Sequence, residues 1–222
     1  NRHEEAIEAL EHALTIDPTH ARTWARLGAT YRVLGRMEDA VNAFNMALEN
    51  EPDYAWAWKE LGIAYERTGR LEDALHAYQR AGDSAPEYAS YVIQQAEALV
   101  ALGELEQALT LLDQALRIDN HKATTWAKRG QVLRRLGQLE EALRSYSRAV
   151  ELDPNYGWAW NGRALVLSML GRHEDALAAH KRAIELDRTD VWNWYNYGEA
   201  LINVARFRDA ADTLEQAVRI NP

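Results

Sequence analysis

The chain contains no cysteine among its 222 residues. Disulfides and thiolate metal sites are therefore excluded, and a reducing compartment is favoured, so a cytoplasmic location is expected. No apolar run approaches the ~18 residues that a membrane span needs, and no membrane insertion is expected. Low-complexity tracts and Pro/Gly/Ser linkers are absent as well. Basic residues are in deficit: 25 Lys and Arg against 34 Asp and Glu give a net charge of −9, which argues against nucleic acid as a partner.

Catalytic constellations are missing too. The histidines are His3, His12, His20, His76, His121, His173 and His180, and no two stand at the i, i+4 spacing of a helical zinc site. Glycines occur singly and never gather into a phosphate-binding loop. The paired carboxylates Glu38/Asp39, Glu72/Asp73, Glu140/Glu141 and Glu174/Asp175 fall in helix first turns, where they complement the helix dipole. The expectation is a protein that is not an enzyme and holds neither metal nor cofactor.

What the sequence has is a period. Gly35, Gly69, Gly103, Gly137 and Gly171 recur every 34 residues. Trp24, Trp58, Trp126, Trp160 and Trp194 keep the same interval, with Val92 in the gap. Ala6, Ala40, Ala74, Ala108, Ala142, Ala176 and Ala210 keep it unbroken, and Pro18, Pro52, Pro86, Pro154 and Pro222 keep it with two omissions. A fixed period of this length means one supersecondary unit stacked on copies of itself.

Each unit reads as two amphipathic helices. In residues 123–156, Trp126, Arg129/Gly130 and Leu133 line one face of the first, and Gly137 closes it. Ala142, Leu143, Tyr146, Ala149 and Val150 line the second, which stops before Asp153-Pro154. The small residues Gly130, Ala142 and Ala149 fall where two backbones must approach. The chain is therefore all-α.

The series Trp24, Leu27, Gly28, Tyr31, Ala40, Phe44, Ala47, Pro52 and its repeat at Trp58, Leu61, Gly62, Tyr65, Ala74, Tyr78, Ala81, Pro86 resemble the tetratricopeptide repeat. The resemblance implies a right-handed superhelical solenoid of antiparallel helix pairs. One solenoid over 1–222 is expected: an orphan second helix over 1–20, then repeats at 21–54, 55–88, 89–122, 123–156, 157–190 and 191–222. Because it starts inside a repeat and stops without a polar capping helix, the chain reads as an excised piece. In the last helix Ala211, Leu214, Val218 and Ile220 are left without a stacking neighbour, which allows self-association through the open ends.

In each first helix the fourth, seventh, eighth and eleventh places form the core stripe. The second, fifth, sixth, ninth, twelfth and thirteenth places point elsewhere. The resemblance implies that this second stripe lines a concave surface that holds peptides. It carries Arg22, Arg26 and Arg32, then Lys59 and Arg67, then Lys128, Gln131, Arg134 and Arg135, and finally Trp158, Asn161, Trp192, Tyr195 and Asn196. Eight basic residues stand on it against four acidic ones (Glu60, Glu66, Glu97, Glu199), inverting the sign of the whole chain. Guanidinium groups suit carboxylates, Trp and Tyr suit apolar anchors, and the two asparagines suit a peptide backbone. The plain alternative is that the arginines pair with Glu on the next repeat, and that Trp56, Trp158 and Trp192 pack over repeat junctions against Tyr54 or Tyr156.

The expected function is a non-catalytic protein–protein interaction scaffold. Its ligand would be a peptide, acidic over the first four repeats and apolar or aromatic over the last two. The alternative is the substrate-recruiting arm of a larger enzyme such as a glycosyltransferase. The chaperone-tail clamp of some family members matches only through Lys59, Gln94 and Lys128, with Ile63 and Thr124 at places that pattern gives to Asn and Lys. Of the asparagine run seen in glycosyltransferase repeats, only Asn196 is present. Gly82-Asp83-Ser84 replaces apolar residues found in other repeats, so a looser junction is expected over 81–91.

Overall fold

The computed structural model describes residues 2–221. Asn1, at the start of the orphan helix, and Pro222, the last of the proline series, lie outside the described residues. Thirteen helices and no strand are present among them. They are α1 (Arg2–Ile16), α2 (Ala21–Val33), α3 (Met37–Asn50), α4 (Ala55–Arg67), α5 (Leu71–Ser84), α6 (Ala89–Leu102), α7 (Leu105–Ile118), α8 (Ala123–Arg135), α9 (Leu139–Leu152), α10 (Gly157–Met169), α11 (His173–Leu186), α12 (Val191–Asn203) and α13 (Phe207–Ile220). The six first helices begin at the residues that the period marks.

The chain divides into two compact units, Asn1–Ile118 and Asp119–Pro222. In unit 1, α2 pairs with α3, α4 with α5 and α6 with α7, and each pair stacks on the one before it; α1 packs on α2 without a pair-mate. In unit 2 the pairs are α8/α9, α10/α11 and α12/α13, stacked in the same order. Both units are all-α stacks of helical repeats.

Pairing within a repeat rests on a small residue meeting a large one. A Cβ added at Gly28 would stand 2.9 Å from the Phe44 ring, one at Gly62 2.5 Å from Tyr78, and one at Gly130 2.9 Å from Tyr146. Phe44, Tyr78 and Tyr146 are fully buried by this close approach. Where the small residue is Ala96 or Ala164, the large one shrinks to Leu112 or His180. In the last repeat Gly198 faces Leu214, where an added Cβ would still lie 2.6 Å from the leucine, so a larger residue at one position presses on the other.

The periodic tryptophans are half-buried rather than sealed, and their indole N–H groups do a second job. Trp24 donates to the carbonyl of Pro18 at 2.8 Å, Trp58 to Pro52 at 2.7 Å, Trp126 to Asn120 at 2.9 Å, Trp160 to Pro154 at 3.0 Å and Trp194 to Arg188 at 2.9 Å. Each bond ties a first helix to the loop before it. Val92 cannot make it. Hydrogen exchange over 81–91 is therefore expected to be faster than over 149–158, and equal rates would remove the idea.

Helix termination follows the glycine series: Gly35, Gly69, Gly103, Gly137 and Gly171 all have φ between +74° and +88°. The sixth counterpart is Ala205, held at φ +58°. A left-handed backbone costs a Cβ-bearing residue roughly 1–2 kcal/mol. Ala205→Gly is therefore expected to stabilise unit 2 by about 1 kcal/mol, read as a higher urea midpoint; an unchanged or lower midpoint would contradict it.

Candidate functional site

In unit 1 the first helices α2 and α4 adjoin, and their side chains separate into two kinds of cation. Arg32 Nη2 lies 2.9 Å from Glu60 Oε2, and Lys59 Nζ lies 2.5 Å from Glu60 Oε1. Glu60 is only 4 % exposed. A carboxylate so far from water needs both partners, because desolvation of an unpaired charge costs several kcal/mol. Glu60 was expected on the solvent-facing stripe; the structure places it as an internal counter-ion. Arg32 and Lys59 thus hold the fold together before they can hold a ligand.

Arg22 and Arg26 are different. Both are exposed, one helical turn apart on α2, and neither forms an ion pair among the described residues. Their charges pull on the Tyr54 hydroxyl, which burial nonetheless pushes above its ordinary value. Arg67 is exposed at the end of α4. Glu66 accepts a hydrogen bond from Tyr78 at 2.8 Å, and burial, followed by that bond, drives the Tyr78 hydroxyl far above the usual range.

Trp56 packs over the repeat junction, 5.9 Å from Tyr54 and edge-on to Phe44 at 6.4 Å. Trp158 repeats this arrangement in unit 2, 5.9 Å from Tyr156 and edge-on to Tyr146 at 6.2 Å. Both are junction residues with one free face, and Trp158 keeps 43 % of its surface exposed.

Elsewhere in unit 2, Lys128 and Gln131 are half-buried and Arg135 is exposed on α8. Arg134 is hydrogen-bonded to the Tyr146 side chain, whose hydroxyl is pushed up to about 12 by burial against the pull of that guanidinium. Arg129, which sequence patterning assigns to the core stripe, donates to Ser145 Oγ at 2.8 Å.

The distal end of unit 2 gathers the aromatic and amide residues. Asn196 Nδ2 donates to Asn161 Oδ1 at 3.2 Å, linking α12 to α10. The Asn161 amide N–H groups and the Asn196 carbonyl oxygen make no other hydrogen bond among the described residues, leaving a donor and an acceptor side by side. Tyr195 is held by Glu199, which accepts its hydroxyl at 2.9 Å. Trp192 stands edge-on to Tyr195 at 5.9 Å and is 64 % exposed. Unlike Trp56 and Trp158 it has no tyrosine two residues before it; Asp190 occupies that place and caps the helix by accepting the Trp192 N–H at 2.9 Å. Val191, Trp192, Tyr195, Ala217 and Val218 wall an apolar recess of ≈ 490 Å³ beside them.

Among the described residues no three His, Cys, Asp or Glu side chains gather to hold a metal, and no helix is long and apolar enough to cross a membrane. His180, at the place of Phe44, Tyr78 and Tyr146, is a core residue 1 % exposed.

Two models described as tetratricopeptide repeat match the sequence, one over residues 86–155 and 121–189, the other over 1–57, 34–94 and 167–222. No curated protein matches it. Among solved structures, it is similar to YrrB, described as a TPR protein with an unusual peptide-binding site, at 21% identity and TM-score 0.69, over 82% of this chain and 94% of that one. TTC0263, a thermophilic TPR protein in Thermus thermophilus, is similar at 28% identity and TM-score 0.64, over 82% and 99%. MamA from Desulfovibrio magneticus RS-1 is similar at 20% identity and TM-score 0.68, over 75% and 94%.

Proposed function

Because the chain belongs to the tetratricopeptide repeat family, we propose that it is a non-catalytic interaction scaffold that holds a peptide segment against its first helices. In unit 2 the segment is extended and carries apolar or aromatic side chains. A segment held by unit 1 is acidic, because the exposed cations there, Arg22, Arg26 and Arg67, form no ion pair among the described residues.

One observation carries this reading: Trp192 and Tyr195, 64 % and 41 % exposed, stand beside the Asn161–Asn196 pair on adjoining helices. A large aromatic side chain left in water is a natural interface anchor. The amide pair beside it can satisfy one N–H and one C=O of a bound backbone, which would otherwise be costly to desolvate. That YrrB is described as having a peptide-binding site adds to the case.

Capture of binding partners from lysate with the intact chain, with Trp192→Ala/Asn196→Ala and with Arg144→Glu on the second-helix face tests it. Proteins lost by the double variant and kept by Arg144→Glu are expected. Identical sets from all three would place binding on another surface.

A further inference from the structure

A recess of ≈ 500 Å³ opens in unit 1 between α1 and α3, over α2. Trp24, Leu27 and Tyr31 of α2 form its floor, with Leu14 of α1 and Met46 of α3 as its apolar sides. These α2 residues belong to the core stripe, so the recess faces away from the stripe that carries Arg22 and Arg26. Leu14 and Leu27 are 6 % and 2 % exposed, and their counterparts at the next junction, Leu48 and Leu61, are 7 % and 1 % exposed. The recess is therefore a property of the three helices that form it.

It differs from the next junction in its charges. There α5 sets the Arg80 guanidinium 5.4 Å from the centre of the Trp58 ring, and in unit 2 Arg163 lies 5.3 Å from the centre of the Trp160 ring. Trp24 has no such cover among the described residues, because Met46 stands at the place of Arg80. Its ring is fixed as those of Trp58 and Trp160 are, by the indole bond to a carbonyl ahead of its helix. A carboxylate also stands where the next junction has an amide: Glu11, exposed at the edge of the recess, takes the place of Asn45. Glu11 accepts the Tyr31 hydroxyl at 2.8 Å and forms no ion pair among the described residues. The second carboxylate at the rim, Asp39, is already held by Arg36 at 2.7 Å. One aromatic face and one carboxylate thus lack the cation that both favour.

We infer that this recess takes an arginine side chain of a partner protein, its guanidinium against the Trp24 ring and the Glu11 carboxylate and its methylene stem along Leu14 and Met46. The occupant is a guanidinium because the chain itself sets one over the corresponding rings of Trp58 and Trp160. The site belongs to unit 1 and does not depend on Trp192.

The test uses the intact, isotope-labelled chain and a blocked peptide of Ala, Leu and Ser with one central arginine. The Trp24 indole N–H resonance, identified by its loss in Trp24→Phe, is expected to shift to saturation with this peptide. A twin peptide with citrulline, which keeps the shape of arginine without its charge, is expected to bind about tenfold more weakly, the scale of one charge-assisted hydrogen bond. Glu11→Gln is expected to weaken the arginine peptide by a similar factor. Met46→Arg copies Arg80 and is expected to fill the recess from within and abolish the shift, while Trp192→Ala leaves it unchanged. An unmoved Trp24 resonance at millimolar peptide would overturn the proposal, as would equal binding of the two peptides or undiminished binding by Met46→Arg. Self-association that Met46→Arg abolishes would also overturn it, assigning the arginine to a second copy of the chain.

Discussion

Tyr146→Ala is expected to destabilise unit 2 by about 3–5 kcal/mol, the range for deleting a large buried aromatic, and to reverse the sign of a second substitution, Gly162→Ala. The Tyr146 ring is fully buried between two glycines. A Cβ at Gly130 of its own repeat would lie 2.9 Å from the ring, and one at Gly162 of the next repeat 2.5 Å from Cζ. With the ring present, Gly162→Ala forces it against a neighbour that cannot yield, and overpacking of this kind costs typically 1–3 kcal/mol. With the ring gone, the same change fills part of the void. It also removes a glycine from the interior of α10, worth about 1 kcal/mol in helix propensity. Urea denaturation of the two single variants and the double variant measures the coupling. Additive effects would mean that Tyr146 does not bridge the two repeats as described.

The second large effect is acid sensitivity centred on His180. Burial lowers its pKa from 6.5 to about 4, and its Nδ1 has no hydrogen-bond partner. Between those two values the unfolded chain binds a proton that the folded chain refuses, so stability falls as pH falls through that window. At about 1.36 kcal/mol per unit, the loss reaches about 3 kcal/mol by pH 4 and does not grow further below it. Leucine is the replacement to make, because Leu112 faces Ala96 in unit 1 as His180's place faces that of Ala164, whereas Phe44, Tyr78 and Tyr146 each require a glycine opposite. His180→Leu is expected to be the more stable protein at neutral pH, since it relieves an unsatisfied buried nitrogen, and its advantage should widen by about 3 kcal/mol towards pH 4. Parallel stability–pH curves for the two proteins would show that His180 is not the titrating group.

The sequence by itself determined the repeat length, the two helices of each repeat, where first helices begin and which residues pack between pair-mates. These properties are local or periodic. Glycine stops a helix through its own backbone, an apolar stripe needs only 3.6-residue spacing, and a 34-residue interval survives drift at single places such as Val92. The exposed aromatic end of unit 2 was legible for the same reason, since Trp192 and Tyr195 lie off the core stripe of an identifiable helix.

Only the tertiary structure decided which of the candidate residues are free. Arg32, Lys59 and Glu60 fall together on one helical stripe, yet nothing in their order shows that the carboxylate is buried and both cations are committed to it. The same holds for Arg134, tied to Tyr146, and for Arg22 and Arg26, distinguished from Arg32 by having no such partner. Pairing and coverage depend on which atoms from different repeats come within a few ångströms of one another, and spacing along a chain does not carry that distance.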